Sequence, residues 1–193
     1  ALFSKNSKEL YFSILALWEL GKELLFLNTH LTLAELTFQL KDAQVKTIIG
    51  APETQALLEE ISFVDVQPMV KKQHSLSHQE FQQPSDLESV ASIMYTSGTT
   101  GQPKGVLQRF KNHLASARGT QENMGITAED CWLCAVPLFH ISGLSIVVRQ
   151  LVLGCSIRLY DKFDEQQVTQ DLQEGRGTVI SVVATMLQQL LSV

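Results

Sequence analysis

The chain has 193 residues, 45% of them hydrophobic and 18% charged, with a formal net charge of -5. That is enough apolar material for one sizeable core or two small ones. The acidic balance excludes wholesale nucleic-acid binding, which needs a basic face against the phosphates. No apolar run reaches the ~18 residues of a membrane span, so no membrane insertion is expected.

The first predicted element is a helix over residues 8–20, with helical apolar spacing and Gly21 as its natural stop. Lys5 and Lys8 ahead of "LYFSILALW" give this stretch a superficial likeness to a signal peptide. Glu19 and Glu23 follow soon after, and no small-residue cleavage motif is present, so a buried helix is the reading taken. "ELLFLN" (23–28) reads as a strand. Thr32 and Glu35 form a T-x-x-E capping box opening a helix to Asp42. "VKTIIG" (45–50) is the next strand, followed by a short helix after Pro52 and a strand at "FVDV" (63–66). Residues 67–89 are polar, rich in Gln and His, carry two prolines, and read as a surface connection.

The second half repeats the alternation. Strands are predicted at "VASIMYTS" (90–97), "GVLQR" (105–109), "CWLCAVP" (131–137), "SIRLYD" (156–161) and "TVISVV" (178–183). Helices are predicted over 110–124, 141–153 with Gly154 as the stop, 164–173 and 185–191. Strands alternating with helices predict an α/β fold of layered, largely parallel sheets. Ala1 falls in mid-pattern and Val193 inside a helix-like run, so the chain is expected to be a piece of a larger protein.

Cys131 and Cys134 form a CxxC, and Cys155 follows. A zinc site completed by His140, or a redox pair, is one reading. Strand alternation puts positions three apart on opposite faces, which argues for the other reading, free thiols in a reducing cytosol. A cytoplasmic location is expected.

The most informative stretch is "YTSGTTGQPKG" (95–105), directly after an apolar strand. A plain Ser/Gly linker would not be so short, nor bounded by strands. A Walker A loop would place its lysine after glycine and before Ser or Thr; here Lys104 follows Pro103 and precedes Gly105, and a GxGxxG is absent. The chemistry still points to phosphate. Gly98, Gly101 and Gly105 let backbone N–H groups approach a ligand. Thr96, Ser97, Thr99 and Thr100 add hydroxyl donors, and Lys104 adds a point charge able to follow a departing pyrophosphate.

The same residues resemble the phosphate-binding signature of the adenylate-forming superfamily, which comprises acyl- and aryl-CoA ligases, luciferases and peptide-synthetase adenylation domains. "VPLFHISGLS" (136–145) resembles that superfamily's next core motif, and "ALWELGKELLFLNTHLTLAELTFQLKDAQVKTII" (16–49) the start of its large domain. The run from Trp132 to Asp164 is similar to the o-succinylbenzoate–CoA ligases of menaquinone biosynthesis. "VISVVATMLQQLL" resembles the segment written S-x-V-P-T-x-L, with Ala184 where proline is usual.

The resemblance implies a partial N-terminal adenylation domain over 1–193, with a phosphate loop at 96–105 and an acyl-pocket segment at 136–153, the C-terminal domain being absent. It implies ATP, Mg2+ and coenzyme A as substrates and cofactor, and a small carboxylic acid as the group activated. Lys104 and His140 would be catalytic, with Thr96, Ser97, Gly98, Thr99, Thr100 and Gly101 also on the phosphates. His140, Ser142, Gly143 and Arg149 would bind the acid. No metal ligand is expected in this stretch, because the acidic residue serving magnesium lies in a later motif. The isolated piece is expected to be inactive.

His140 is either a structural histidine at a strand end or an imidazole beside the reacting carboxylate. In "ISGLSIVVRQLVLG", Ser142, Ser145 and Arg149 are spaced three and four apart and share one helix face. A guanidinium in so apolar a helix needs an anion. Either a nearby Asp or Glu supplies it, or the second carboxylate of a dicarboxylic substrate such as o-succinylbenzoate does. Asn112 and His113 are read as supporting or structural. Another acyl- or aryl-CoA ligase, a peptide-synthetase adenylation domain and a non-catalytic nucleotide-binding fragment remain as alternatives. The oligomeric state is not legible.

Overall fold

The computed structural model describes residues 1–51, 62–65 (backbone only), 86–96 and 103–193. The chain divides into two compact units: residues 1–4 with 8–110, and residues 5–7 with 111–193.

The first unit holds a six-stranded sheet in the order β4-β3-β1-β2-β5-β6. Its strands are β1 (Leu2–Phe3), β2 (Leu24–Phe26), β3 (Thr47–Gly50), β4 (Ser62–Asp65), β5 (Val90–Thr96) and β6 (Lys104–Arg109). Every neighbouring pair is parallel except β5–β6, an antiparallel hairpin. Helix α1 (Lys8–Glu19) buries Leu10, Ile14 and Trp18, four residues apart and so on one face. The Trp18 indole N–H donates to the Ala91 carbonyl of β5 at 2.8 Å. The helix stops as its sequence implied: Gly21 takes φ +65, and its N–H donates to the Trp18 carbonyl.

Helix α2 (Leu33–Asp42) opens on the expected capping box. Thr32 accepts from the Glu35 N–H at 3.4 Å, and the Glu35 carboxylate accepts from the Thr32 N–H at 2.8 Å. Phe3, Leu25, Leu27, Leu36, Leu40 and Ile48 pack into one core cluster of this unit.

The second unit holds a three-stranded parallel sheet, β8-β7-β9, from β7 (Cys131–Cys134), β8 (Ser156–Leu159) and β9 (Val179–Ile180). Its helices are α3 (Phe110–Met124, entering from the first unit at Phe110), α4 (Ile141–Leu153), α5 (Glu165–Gln173) and α6 (Ala184–Leu190). Trp132, Leu133 and Cys134 are buried in succession, so both faces of β7 are covered. Leu133, Ala135, Tyr160 and Val168 form a core cluster, with Phe163, Ile180, Met186 and Leu190 against it. Helix α4 buries Leu144, Ile146, Val147 and Val148 and ends on Gly154 at φ +75.

Several elements differ from expectation. Strand β1 is only two residues long, too short for a periodic signal. The strand expected over 131–137 ends at Cys134, because the Asn6 side chain takes the backbone groups beyond it. Its amide donates to the Val136 carbonyl (3.0 Å) and the Tyr160 carbonyl (3.1 Å) and accepts from the Leu138 N–H (2.8 Å). The strand expected over 178–183 is confined to Val179–Ile180; just beyond it the Ser181 hydroxyl accepts from the Trp132 indole N–H at 3.1 Å. Ala184 is the first residue of α6, the helix position that best tolerates proline. The helix expected after Pro52 and most of the polar connection lie outside the described residues.

Candidate active site

In the first unit, the β5–β6 hairpin carries the two described ends of the glycine-hydroxyl loop. Thr96 closes β5 and Lys104 opens β6, and the two are register partners. Both are exposed. Ser97, Gly98, Thr99, Thr100 and Gly101 lie outside the described residues. Gly105 has a packing task that the sequence did not reveal. It faces Tyr95 across the hairpin, and a Cβ there would stand 3.2 Å from the Tyr95 ring. Tyr95 in turn donates from its hydroxyl to Asp42 at 2.5 Å. Burial and that carboxylate together push the phenol's pKa up.

In the second unit, Pro137, Leu138 and Phe139 turn the chain from β7 into α4, and His140 is the N-cap of that helix. The cap is made by the backbone: the His140 carbonyl accepts from the Gly143 and Leu144 N–H groups, each at 3.0 Å. The imidazole does not cap and is exposed, with its ring 4.7 Å from that of Phe139. Gly143 is buried, and a Cβ on it would fall 2.2 Å from the Pro137 carbonyl oxygen. Its smallness lets α4 start hard against the turn, a packing role beside the substrate contact expected of it. Ser142 is exposed. The Ser145 hydroxyl turns back to donate to the Ser142 carbonyl at 3.1 Å, a habit of serines within helices.

Arg149 departs from one of its two sequence readings. Among the described residues no carboxylate lies within ion-pair distance of it. Instead its Nε–H donates to the Thr120 hydroxyl at 3.0 Å, and its guanidinium carbon stands 5.0 Å from the centroid of the Trp132 ring. Partial burial pulls its pKa below the usual arginine value, against a smaller opposing effect of the Cys155 thiol. His113 is buried on α3, and burial lowers its pKa.

The thiols are free; Cys134 and Cys155 are buried, and burial pushes the Cys134 thiol up to about 12. No group of three His, Cys, Asp or Glu suited to a metal occurs among the described residues, and none of their helices is long and apolar enough to cross a membrane. Sequence reasoning missed Asn6, whose three hydrogen bonds brace the turn ahead of His140. It also missed Thr120 and Trp132. All three act through contacts distant in sequence, and only the indole of Trp132 carried any local hint.

A glycine-hydroxyl hairpin with a lysine at its foot, on an α/β scaffold, defines a class that handles nucleotide phosphates. A family model described as AMP-binding enzyme matches residues 1–193, and the chain belongs to that family. Among curated relatives, the 2-succinylbenzoate–CoA ligase of Listeria innocua is 44% identical over 203 aligned residues, which cover all of this chain and 40% of that protein. Among solved structures, the o-succinylbenzoate CoA synthetase (MenE) of Bacillus subtilis bound to the acyl-adenylate intermediate OSB-AMP superimposes with a TM-score of 0.90 at 35% identity, over 99% of this chain and 50% of that one. The same Bacillus enzyme in complex with ATP and a magnesium ion gives 0.87 at 33% identity, over 98% of this chain and 51% of that one. The chain spans about 40% of the length of the curated relatives it matches.

Proposed function

We propose that this chain is the phosphate-loop and acyl-pocket part of an AMP-forming acid–CoA ligase whose acid is o-succinylbenzoate. A carboxylate oxygen of the acid attacks the α-phosphorus of ATP and pyrophosphate leaves. The sulfur of coenzyme A then attacks the acyl carbon, AMP leaves with the bonding pair, and the thiol proton passes to solvent. Lys104 and the hydroxyls and N–H groups of 96–101 hold the phosphates and the charge growing on the leaving pyrophosphate. Magnesium, when bound with ATP, would offset the same charge. His140, exposed at the start of α4, lies beside the carboxylate being activated, with Ser142 and Gly143 in the same turn. The enzyme works in the cytoplasm, where ATP and coenzyme A are supplied.

The observation that carries the choice of acid is Arg149. It is partly buried, held over the Trp132 ring, and without a carboxylate partner among the described residues. A site for a monocarboxylate has no use for such a cation, whereas o-succinylbenzoate has a ring carboxylate left over when its succinyl acid is activated. Pyrophosphate release by the full-length protein tests the reading, with o-succinylbenzoate compared against benzoate and medium-chain fatty acids. A clear preference for the dicarboxylate is expected; equal rates on all of them would overturn it.

A further inference from the structure

We propose that Thr120 and Trp132 are positioning residues for Arg149 and so set the acid specificity of the pocket. The inference rests on the dicarboxylate reading given above. A guanidinium is planar, with five N–H donors in a fixed fork. Here its orientation is constrained twice. Nε–H is committed to the Thr120 oxygen at 3.0 Å, which fixes rotation within the plane. The Trp132 ring lies under the guanidinium, 5.0 Å from its central carbon, a cation–π contact that holds the group over the indole face. What remains is the end-on pair of terminal nitrogens, the edge that meets a carboxylate with two parallel hydrogen bonds.

Both supports are themselves held. The Thr120 hydroxyl donates its only proton to the Ser116 carbonyl at 3.0 Å, so its oxygen is left to accept from the arginine. Trp132 is buried, and its indole N–H donates to Ser181 at 3.1 Å. The three residues come from α3, β7 and α4, and nothing in this arrangement neutralises the cation. An ion pair would have made the arginine a structural element. A hydroxyl and an aromatic face orient it while leaving its charge for a ligand.

The test uses the full-length ligase and two acids, o-succinylbenzoate and 3-benzoylpropionate, which lacks the ring carboxylate. The quantity read is the ratio of their kcat/KM values. Thr120→Val is close to isosteric but removes the acceptor. It should lower the ratio about five- to tenfold through KM for o-succinylbenzoate, and leave KM for ATP in place. Thr120→Ser should restore the ratio to within about twofold of the parent. Trp132→Phe, which keeps a ring under the guanidinium, should hold the ratio better than Trp132→Leu, an arm independent of α3. In an Arg149→Ala background, Thr120→Val should change the ratio no further.

A ratio untouched by Thr120→Val and Trp132→Leu, while Arg149→Ala collapses it, would overturn the positioning role and leave the dicarboxylate reading standing. An equal loss on both acids would show a merely structural role and also overturn it. A ratio unmoved by Arg149→Ala would remove the dicarboxylate reading and this inference together.

Discussion

Thr96 and Lys104 are register partners across the antiparallel β5–β6 hairpin, although eight positions separate them in the chain. The pairing puts a hydroxyl and an ammonium at the two ends of the glycine-hydroxyl sequence. Lys104→Ala in the full-length enzyme is expected to slow adenylation about ten- to a hundredfold, the worth of a lost hydrogen bond to a charged group. Thioester formation from supplied acyl-adenylate should fall much less, because no pyrophosphate leaves in that half-reaction. Rapid-quench measurement of the two half-reactions decides the matter, and an equal loss in both would assign Lys104 to folding.

For Arg149, the expected result of Arg149→Ala is a kcat/KM for o-succinylbenzoate lower by about ten- to a hundredfold, with KM for ATP nearly unchanged. Against 3-benzoylpropionate the variant should barely differ from its parent. Its melting temperature should move little, since no ion pair among the described residues is broken and a costly desolvation is relieved. Arg149→Lys should rescue only in part, because an ammonium lacks the planar fork.

The brace at Asn6 makes a stability prediction. Its side chain satisfies two carbonyls and one N–H, all in buried surroundings. Asn6→Ala would leave them without those partners, at a cost of roughly 3 kcal/mol or more. Gly143→Ala should also destabilise, by about 1–3 kcal/mol, because the new methyl meets a backbone oxygen that cannot swing aside. Urea unfolding of each variant beside the parent checks both, and unchanged midpoints would refute the packing roles.

Asp171 gives a pH dependence. Its side chain is 2% exposed and accepts from the Tyr160 hydroxyl (2.6 Å), Arg158 Nε (2.6 Å) and an Arg176 terminal nitrogen (2.9 Å). The Tyr160 bond first, then the two arginines, hold its pKa below the ordinary 3.8, against the opposing effect of burial. The sign follows from linkage. A carboxylate more acidic folded than unfolded contributes stability that is complete above the unfolded pKa and is lost as pH falls through the folded one. Asp171→Asn should therefore be less stable than the parent at neutral pH, and the gap should narrow as pH drops below 3.8. Denaturation midpoints of both proteins from pH 7 to pH 3 provide the measurement; a gap that stays constant would rule the linkage out.

The sequence by itself determined whatever depends on short chain separations. The Thr32–Glu35 box spans three residues, and Gly21 and Gly154 end their helices through backbone conformations that glycine adopts without a Cβ clash. The alternation of strand and helix came from apolar periodicity in the same way, and the AMP-binding family from a loop whose eleven residues are contiguous. Only the tertiary structure decided who meets Arg149. The sequence demanded an anion for a cation in an apolar helix, but burial can also be met by a hydroxyl and an indole face, and Thr120 and Trp132 lie 29 and 17 positions away. Asn6 is the extreme case. A lone asparagine near the start of the chain reads as nothing in particular, because the three backbone groups it satisfies reach it only when residues 130 to 154 positions distant fold back upon it.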